Sequence, residues 1–449
     1  MNSRNPAISK GIDWSLIWIY LLLITIGLLA VFGATYKEGD PIFQSFINFK
    51  TDYSKQLYFF VVAMVLGLFI LLTDSKFFPA TANIWYGIGV FMLLIVFPFH
   101  SNIKGTESII RLGSFNFQPA EFCKICVALS LAKYLSRPET DFTRIRSQLI
   151  AAAIVVFPAI LTVMQKETGL ALVFLAFFLV MYREGLPSGI LIIGFAAGIL
   201  VVATLLIEKN ILAFILLGLA LVVIYFMRRQ IKRDTNVLIK IIVICLLCIG
   251  TQRFAVPFAF KHVLKLYQVE RIYSTIGKEV PVEYAEAHKK EFLASKSPEG
   301  KKKDTDYNVR QSKIAIGSGG ALGKGLLNGT QTRYGFVPEQ RTDFIFDTIA
   351  EGFGFTGSFI LLGIYLILLF RIVTVAERQR SVFSRCYGYG VAAVFFFHIV
   401  INVAMAVGLA PVIGIPLPFI SYGGTSLLTF TILLFILIRL DADRQMVLR

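Results

Sequence analysis

The clearest candidate for chemistry is an acidic residue at the boundary between a polar and an apolar segment. Asp343 closes a polar run that starts at Pro338, and the apolar stretch 345–370 follows it. A carboxylate partly removed from water in such a place has a raised pKa, which suits a general base. Asp347 lies one turn further on and can couple to it. Helix capping by Thr342 or Asp343 explains the same residues, so both interpretations stay open.

Two ionisable residues stand inside an apolar segment that begins after Gln118-Pro119. Glu121 and Lys124 are three positions apart, so they share one helix face and can form an ion pair. Charged side chains are costly inside a bilayer and usually mark a functional site. The simpler interpretation is a structural ion pair that allows both charges to be buried. The more specific interpretation is that Lys124 also contacts an anionic headgroup.

Further polar residues interrupt other apolar segments. His398 and Asn402 are four apart and favour a structural hydrogen bond, while Glu351 lies within the stretch 345–370. The segment 411–426 contains three prolines and three glycines between two apolar runs. Irregular backbone at membrane depth must be buried in protein or line a cavity. We therefore expect this segment to help form the wall of a site.

Two motifs suggest cofactor chemistry that their context does not support. The glycines of Gly317–Gly325 could cradle a phosphate, but a Walker A loop needs Ser or Thr after its lysine, and Gly325 follows Lys324. A tightly packed reentrant loop and direct substrate contact both remain open there. The cysteine pairs 123/126 and 245/248 have metal-like spacing, yet each lies in an apolar helix without further clustered ligands, which favours simple packing and predicts no metal site.

The composition places these residues in a membrane. The 449-residue chain is 56% hydrophobic and 16% charged, whereas soluble domains carry about 25% charged residues. Its net charge of +16 is divided among the ends of apolar runs and forms no single stripe, which argues against nucleic acid. Alternating segments of a barrel are absent from the pattern. The run 15–35 has no small-residue cleavage site, so we expect it to stay as a helix.

The apolar runs predict an all-α polytopic membrane protein with about twelve spans. Basic connections at 133–146, 228–233 and 371–385 fit a cytoplasmic location, so the long stretch 259–344 is predicted to face outward. Its first part is Lys-rich near 277–303 and lightly packed, whereas its second part, from Val309, is Gly-rich and apolar and should fold back onto the membrane domain. The spans lie near 15–35, 56–73, 80–99, 119–135, 149–166, 168–182, 187–207, 211–227, 237–258, 345–370, 386–409 and 424–440.

Several motifs together resemble one family, the shape, elongation, division and sporulation family of membrane glycosyltransferases. The segments that carry the resemblance are Gln311–Gly320, Gly323-Lys-Gly325, Gly329-Thr-Gln331, Phe336–Phe346, Gln118–Lys124 and 411–426. Good matches cover about a fifth of the chain, and a thinner likeness covers nearly all of it as a single membrane domain over 1–449. The Gly329-Thr-Gln331 segment favours the rod-shape branch of the family over the division branch.

The resemblance implies polymerisation of lipid II, the undecaprenyl-diphosphate-linked peptidoglycan precursor, in the bacterial cytoplasmic (inner) membrane for cell elongation. It makes Asp343 the catalytic base. It implies partnership with a class B penicillin-binding transpeptidase and other elongation-complex proteins. No cofactor is implied with certainty, and a divalent cation stays open. Substrate-binding roles follow for Lys124, Glu121, Arg111, Gln311, Lys324, Glu351, Ser421 and Ser426.

The sequence also departs from the family pattern. Ser108-Ile109 stands where the family has Arg-Trp, and Arg111 is the substitute proposed for that headgroup contact. Glu167 lies near the family's usual Asp, and Asp347 where a small residue is common. Two spans around 211–258 exceed the family's usual ten. The competing functions are a lipid II flippase, a division-type polymerase, and a scaffold in which Asp343 is only a helix cap.

Overall fold

The computed structural model describes residues 11–36, 49, 51–103, 106–112, 115–263, 269, 273, 280, 281, 284 and 305–444. Most of the Lys-rich segment near 277–303, including Lys289, Lys290 and Lys301, lies outside these residues. The prediction that it is lightly packed therefore stays a prediction.

Long apolar helices joined by short connections form most of the described chain. In chain order they are α1 (Trp14–Thr35), α2 (Asp52–Leu72), α3 (Phe77–Phe99), strands β1 (Ser101–Ile103), β2 (Thr106–Leu112) and β3 (Phe115–Phe117), α4 (Pro119–Leu135), α5 (Ile145–Met164), α6 (Thr168–Phe174), α7 (Phe177–Arg183), α8 (Ser188–Leu206), α9 (Lys209–Ile231), α10 (Thr235–Gly250), a π-helical turn (Thr251–Ala255), α11 (Val256–Phe258), a second π-helical turn (Ala259–Val263), α12 (Thr305–Ser318), α13 (Thr330–Arg333), α14 (Ile345–Glu377), α15 (Val382–Ala406) and α16 (Gly424–Ala442).

Each of the twelve predicted spans falls on helical structure. Among the described residues, ten helices are long and apolar enough to cross a bilayer, including Lys209–Ile231 and Thr235–His262, which cover the predicted spans 211–227 and 237–258. The two shortest predicted spans fall below that length, since α4 has 17 residues and the segment Thr168–Arg183 is divided into α6 and α7. The protein is thus an all-α, multi-pass membrane protein, as predicted.

The chain divides into two compact units, residues 1–186 with 308–449, and residues 187–307. In the first unit α15 and α16 are enclosed, with 61% and 78% of their apolar windows buried. In the second unit α8, α9 and the helix from Thr235 bury 11% or less, so their apolar side chains face outward. The prediction of a single membrane domain over 1–449 is not decided by this division.

A small antiparallel sheet, not predicted from the sequence, connects α3 to α4. Ser108 on β2 donates a hydrogen bond to Glu167 Oε2 at 2.7 Å, and Thr425 on α16 donates to the Asn116 carbonyl at 2.7 Å. Backbone groups that are not in a helix need other hydrogen-bond partners. In this connection they pair with one another in the sheet and with the ends of neighbouring helices. The sheet thereby fixes the start of α4, which carries Glu121 and Lys124.

A network of ion pairs joins the N-terminal helix to the ends of α14 and α16. Asp13 accepts hydrogen bonds from Arg371 at 2.7 Å and from Arg378 at 2.6 Å, and Arg378 also pairs with the buried Asp441. Burial opposes ionisation of Asp13, but the bonds from Arg371 and Arg378 outweigh it, so the pKa of this carboxyl is lowered. A carboxyl with a lowered folded-state pKa stabilises the fold above its unfolded-state pKa, and this stabilisation is lost as the pH falls through the folded-state value.

We predict that Asp13→Asn lowers the free energy of unfolding in detergent by about 1–3 kcal/mol at pH 7, because a charge-assisted acceptor for two arginines is lost. The difference from the unmodified protein should shrink as the pH falls from about 4, the unfolded-state pKa, through the lowered folded-state pKa of Asp13. Thermal melts at several pH values measure this. Asp141→Asn, at an exposed aspartate outside the network, is the matched control and should leave the melting temperature unchanged. An Asp13→Asn deficit that persists undiminished at low pH would contradict the assignment.

Candidate active site

Asp343 lies immediately before α14, and its side chain is half-buried. The N-cap position of α14 is Phe344, which makes no side-chain capping hydrogen bond. The N-cap position therefore falls one residue after Asp343 and two after Thr342, the residues for which the sequence left helix capping open. The carboxylate is positioned at the polar end of a membrane-spanning helix, as the sequence predicted.

The backbone that carries Asp343 is held by side chains from two other segments. Asn402 Nδ2 on α15 donates to the Asp343 carbonyl at 2.8 Å, and Ser421 Oγ donates to the Thr342 carbonyl at 2.6 Å. The side chain of Asp343 lies beside Gly414, where a Cβ atom would stand 3.4 Å from Oδ2. The Pro- and Gly-rich segment 407–423, which we name the wall loop, therefore packs directly against Asp343, in agreement with the sequence prediction.

A third anchor lies two residues before Asp343. Arg341 forms an ion pair with Asp52 at the start of α2, and its guanidinium lies over the Tyr422 ring at 5.7 Å from the ring centre. The Tyr422 backbone N–H donates to the Arg341 carbonyl at 2.9 Å. Burial, together with the nearby Asp52 carboxylate, raises the pKa of Tyr422 to about 12, so this phenol stays neutral at physiological pH.

The predicted ion pair on α4 exists and is extended by a histidine. Lys124 Nζ lies 2.7 Å from Glu121 Oε2 and 2.7 Å from His398 Nε2, and all three side chains are buried. An ammonium group can only donate, so Nε2 accepts, and His398 Nδ1 donates to the Pro416 carbonyl at 3.0 Å. The partners thus define a neutral imidazole protonated at Nδ1. The Phe430 ring, 5.3 Å from Lys124 Nζ, covers the cation.

The wall loop connects this buried cluster with the Asp343 segment. His398 holds the Pro416 carbonyl, and one helical turn later Asn402 holds the adjacent Ile415 carbonyl at 2.7 Å. Asn402 also holds Asp343, so α15 brings both predicted functional groups to the same loop. The sequence identified His398 and Asn402 as structural, and both do bond backbone. The contact between His398 and Lys124 was missed, because nothing in the spacing relates α4 to α15.

Glu351 and Lys324 form a second buried cluster. Lys324 Nζ lies 2.9 Å from Glu351 Oε1 and donates to Ser318 and Thr330 at 2.8 and 3.0 Å. The backbone N–H of Thr332 donates to Glu351 Oε2 at 2.9 Å. The Glu351 carboxylate is fully buried and its oxygens are occupied by this loop. Glu351 therefore holds the loop in place, and its predicted contact with substrate stays a prediction.

The glycine-rich segment Gly317–Gly325, which we name the glycine run, packs its backbone directly against α14. The backbone N–H of Gly325 donates to the Gly352 carbonyl at 2.8 Å, and that of Phe355 donates to Gly320 at 2.8 Å. At Gly354, which has a φ of +65°, a Cβ atom would stand 2.4 Å from the Gly323 nitrogen. Glycines are needed there for close backbone approach, which favours the packing interpretation over a phosphate cradle.

The remaining predicted residues lie around this centre. Arg111 is exposed on β2, opposite Asn116, and Gln311 is half-buried on α12. Ser426 is half-buried and donates to the Gly423 carbonyl at 3.4 Å. Asp347 is fully buried and lies 2.9 Å from the Ser312 hydroxyl, so it is enclosed where Asp343 is not. The substrate contacts of Arg111, Gln311 and Ser426 stay predictions.

Comparison with known proteins defines the class. A family model described as cell cycle protein, which takes in FtsW, RodA and SpoVE, matches residues 13–212 and 191–446. The chain belongs to the FtsW/RodA/SpoVE family, as its motifs predicted. Within that family it is 30% identical over 441 residues to the peptidoglycan glycosyltransferase RodA of Treponema pallidum, covering 96% of this chain and 97% of that protein. It is 27% identical over 388 residues to the peptidoglycan glycosyltransferase MrdB of Escherichia coli K12, covering 85% of each.

Solved structures share the fold. One, described as "Structural coordination of polymerization and crosslinking by a peptidoglycan synthase complex", has a TM-score of 0.64 at 22% identity and covers 97% of this chain and 99% of that one. The rod shape determining protein RodA of Thermus thermophilus has a TM-score of 0.60 at 20% identity, covering 97% and 98%. These likenesses confirm the predicted helical membrane fold.

We predict that Lys124→Met destabilises the protein by about 3–5 kcal/mol, because it leaves the Glu121 carboxylate buried without its cation. The double variant Glu121→Gln/Lys124→Met removes both charges and should recover most of that stability. Polymerisation should stay impaired in both, because His398 loses the donor that holds it against the wall loop. Melting temperature and polymer formation are measured on the same samples. A double variant that regains polymerisation along with stability would show that Lys124 is only structural.

Proposed function

We propose that this chain is a peptidoglycan glycosyltransferase that polymerises lipid II for cell elongation. The observation that carries the proposal is the half-buried Asp343 carboxylate, whose backbone is held by Asn402 and whose neighbours are held by Ser421 and Tyr422. A general base must be kept within hydrogen-bond reach of the proton that it removes. The names of the Treponema and Escherichia relatives support the same reaction.

The reaction assigns a definite step to Asp343. A saccharide hydroxyl attacks the anomeric carbon of a second lipid-linked saccharide, and the bond from that carbon to the lipid diphosphate breaks. The diphosphate leaves with the bonding electron pair, and Asp343 takes the hydroxyl proton. In this structure Lys124 is fully enclosed, so we assign it the positioning of the wall loop through His398. Its direct contact with a headgroup is a further proposal.

The surroundings of the protein follow from the same proposal. We place it in the bacterial inner membrane with the 259–344 stretch outside, since the basic connections 133–146, 228–233 and 371–385 belong inside. A cross-linking transpeptidase of the class B penicillin-binding type is the proposed partner, supported by the likeness to a peptidoglycan synthase complex. The Gly329-Thr-Gln331 segment and the RodA relative favour the elongation role over the division role.

We predict that Asp343→Asn reduces glycan polymerisation by about 10²- to 10⁴-fold, because an amide cannot take the proton of the attacking hydroxyl. The backbone bonds from Asn402 and Ser421 involve carbonyls, so folding and membrane insertion should be retained. The measurement is the initial rate of polymer formation from purified lipid II. Asp347→Asn, at the enclosed aspartate one turn further on, is the matched control and should stay within about threefold of the unmodified rate. Full activity in a well-folded Asp343→Asn protein would remove Asp343 from the mechanism.

A further inference from the structure

One lysine close to the wall loop differs from the three ion-paired cations around the site. Lys124 is paired with Glu121, Lys324 with Glu351 and Arg341 with Asp52. Lys313 on α12 is exposed, and none of the ion pairs formed between described residues includes it. Its charge is therefore not neutralised by a carboxylate of the described chain.

The end of the Lys313 side chain lies against the wall loop at Gly408. At Gly408, with a φ of +77°, a Cβ atom would stand 2.2 Å from Lys313 Cε and 2.6 Å from Nζ. The lysine therefore runs across the bare backbone of Gly408, with Val309 close by on the other side, 3.0 Å from the same Cβ position. A Cβ atom at Gly408 would meet the end of the Lys313 side chain, so the glycine leaves room for the ammonium to lie over the loop backbone.

The same loop carries Lys313 at one end and meets Asp343 near the other. Ser312, adjacent to Lys313, donates to the Ala406 carbonyl at 2.7 Å and touches Asp347 on the first turn of α14. From Gly408 the loop runs six residues to Gly414, which lies against the Asp343 carboxylate. The wall loop thus contacts both the unpaired Lys313, at Gly408, and the proposed base, at Gly414.

We propose that Lys313 binds the diphosphate of the lipid-linked saccharide at the Asp343 site. The inference rests on the proposed function and adds to it the group that receives the leaving diphosphate. Negative charge builds up on that diphosphate as its bond to the anomeric carbon breaks, and an ammonium group stabilises the charge by charge-assisted hydrogen bonds. Phosphate is also the chemistry of anionic phospholipid headgroups, so the test must separate the two sources.

The test compares Lys313→Gln and Lys313→Arg with Arg310→Gln in the purified full-length chain. Arg310 is an exposed cation one turn earlier on α12, which makes it the matched control. In neutral detergent with purified lipid II, Lys313→Gln should lower kcat/KM by about 10- to 100-fold, as expected for a lost charge-assisted bond. Lys313→Arg and Arg310→Gln should stay within about threefold. Equal losses in Lys313→Gln and Arg310→Gln would overturn the proposal, since only overall charge would then matter.

A binding measurement separates this proposal from the proposed function. Undecaprenyl diphosphate is the probe, and undecaprenyl monophosphate and phosphatidylglycerol are the comparison lipids. The unmodified chain should prefer the diphosphate, and Lys313→Gln should lose that preference even if no polymer forms under any condition. Equal binding of the diphosphate by both proteins, or a Lys313→Gln effect confined to phosphatidylglycerol membranes, would overturn the assignment.

Discussion

The backbone of the wall loop needs hydrogen-bond partners where the loop is buried between helices, and the rest of the site depends on how these partners are supplied. Prolines and glycines keep this segment from forming a helix, so its carbonyls need partners from side chains. His398 supplies one for Pro416, and Asn402 supplies one for Ile415 while also binding the Asp343 carbonyl. The bonds that satisfy the loop are thus the bonds that position the proposed base.

The charged side chains around the site also find partners within the protein. The cations Lys124, Lys324 and Arg341 are each paired with a carboxylate. For the buried Lys124 the pairing is required, since an unpaired buried charge is costly. These ion pairs stabilise the protein itself: Lys124 on α4, Lys324 in the segment Gly317–Gly325, and Arg341 in the segment before Asp343. The exposed Lys313 is not neutralised in this way, so its charge is available to an anionic substrate. The site therefore combines ion-paired cations with the Asp343 carboxylate and the Lys313 ammonium at the wall loop.

Much of the fold could be predicted from the sequence, because length and hydropathy identify membrane-spanning helices. All twelve spans fell on helices, and the position of Asp343 before α14 was correct. The Glu121–Lys124 pair followed from its i,i+3 spacing alone. The contact between Lys124 and His398 could not be predicted, because residues 274 positions apart meet only through helix packing. The small sheet before α4 was missed because its strands are too short to show a periodic pattern.

Glu351 shows that the sequence can locate an acidic residue in the membrane domain without defining its role. The resemblance implies substrate contact, which stays a prediction, and the structure shows the carboxylate bound by Lys324 and by the backbone of Thr332. An intramembrane acid can mark a site by supporting it as well as by touching substrate. The spacing of residues does not separate these two cases, since both need the same residue at the same depth.

The central claim is that the polymerising site lies within this single chain. The most direct measurement is glycan formation from purified lipid II by the purified protein, alone and with a class B transpeptidase, with released undecaprenyl diphosphate counted against glycosidic bonds formed. We expect glycan strands in both cases, with about one diphosphate released per bond. No strands under either condition, together with movement of lipid II across sealed vesicles containing the protein, would contradict it.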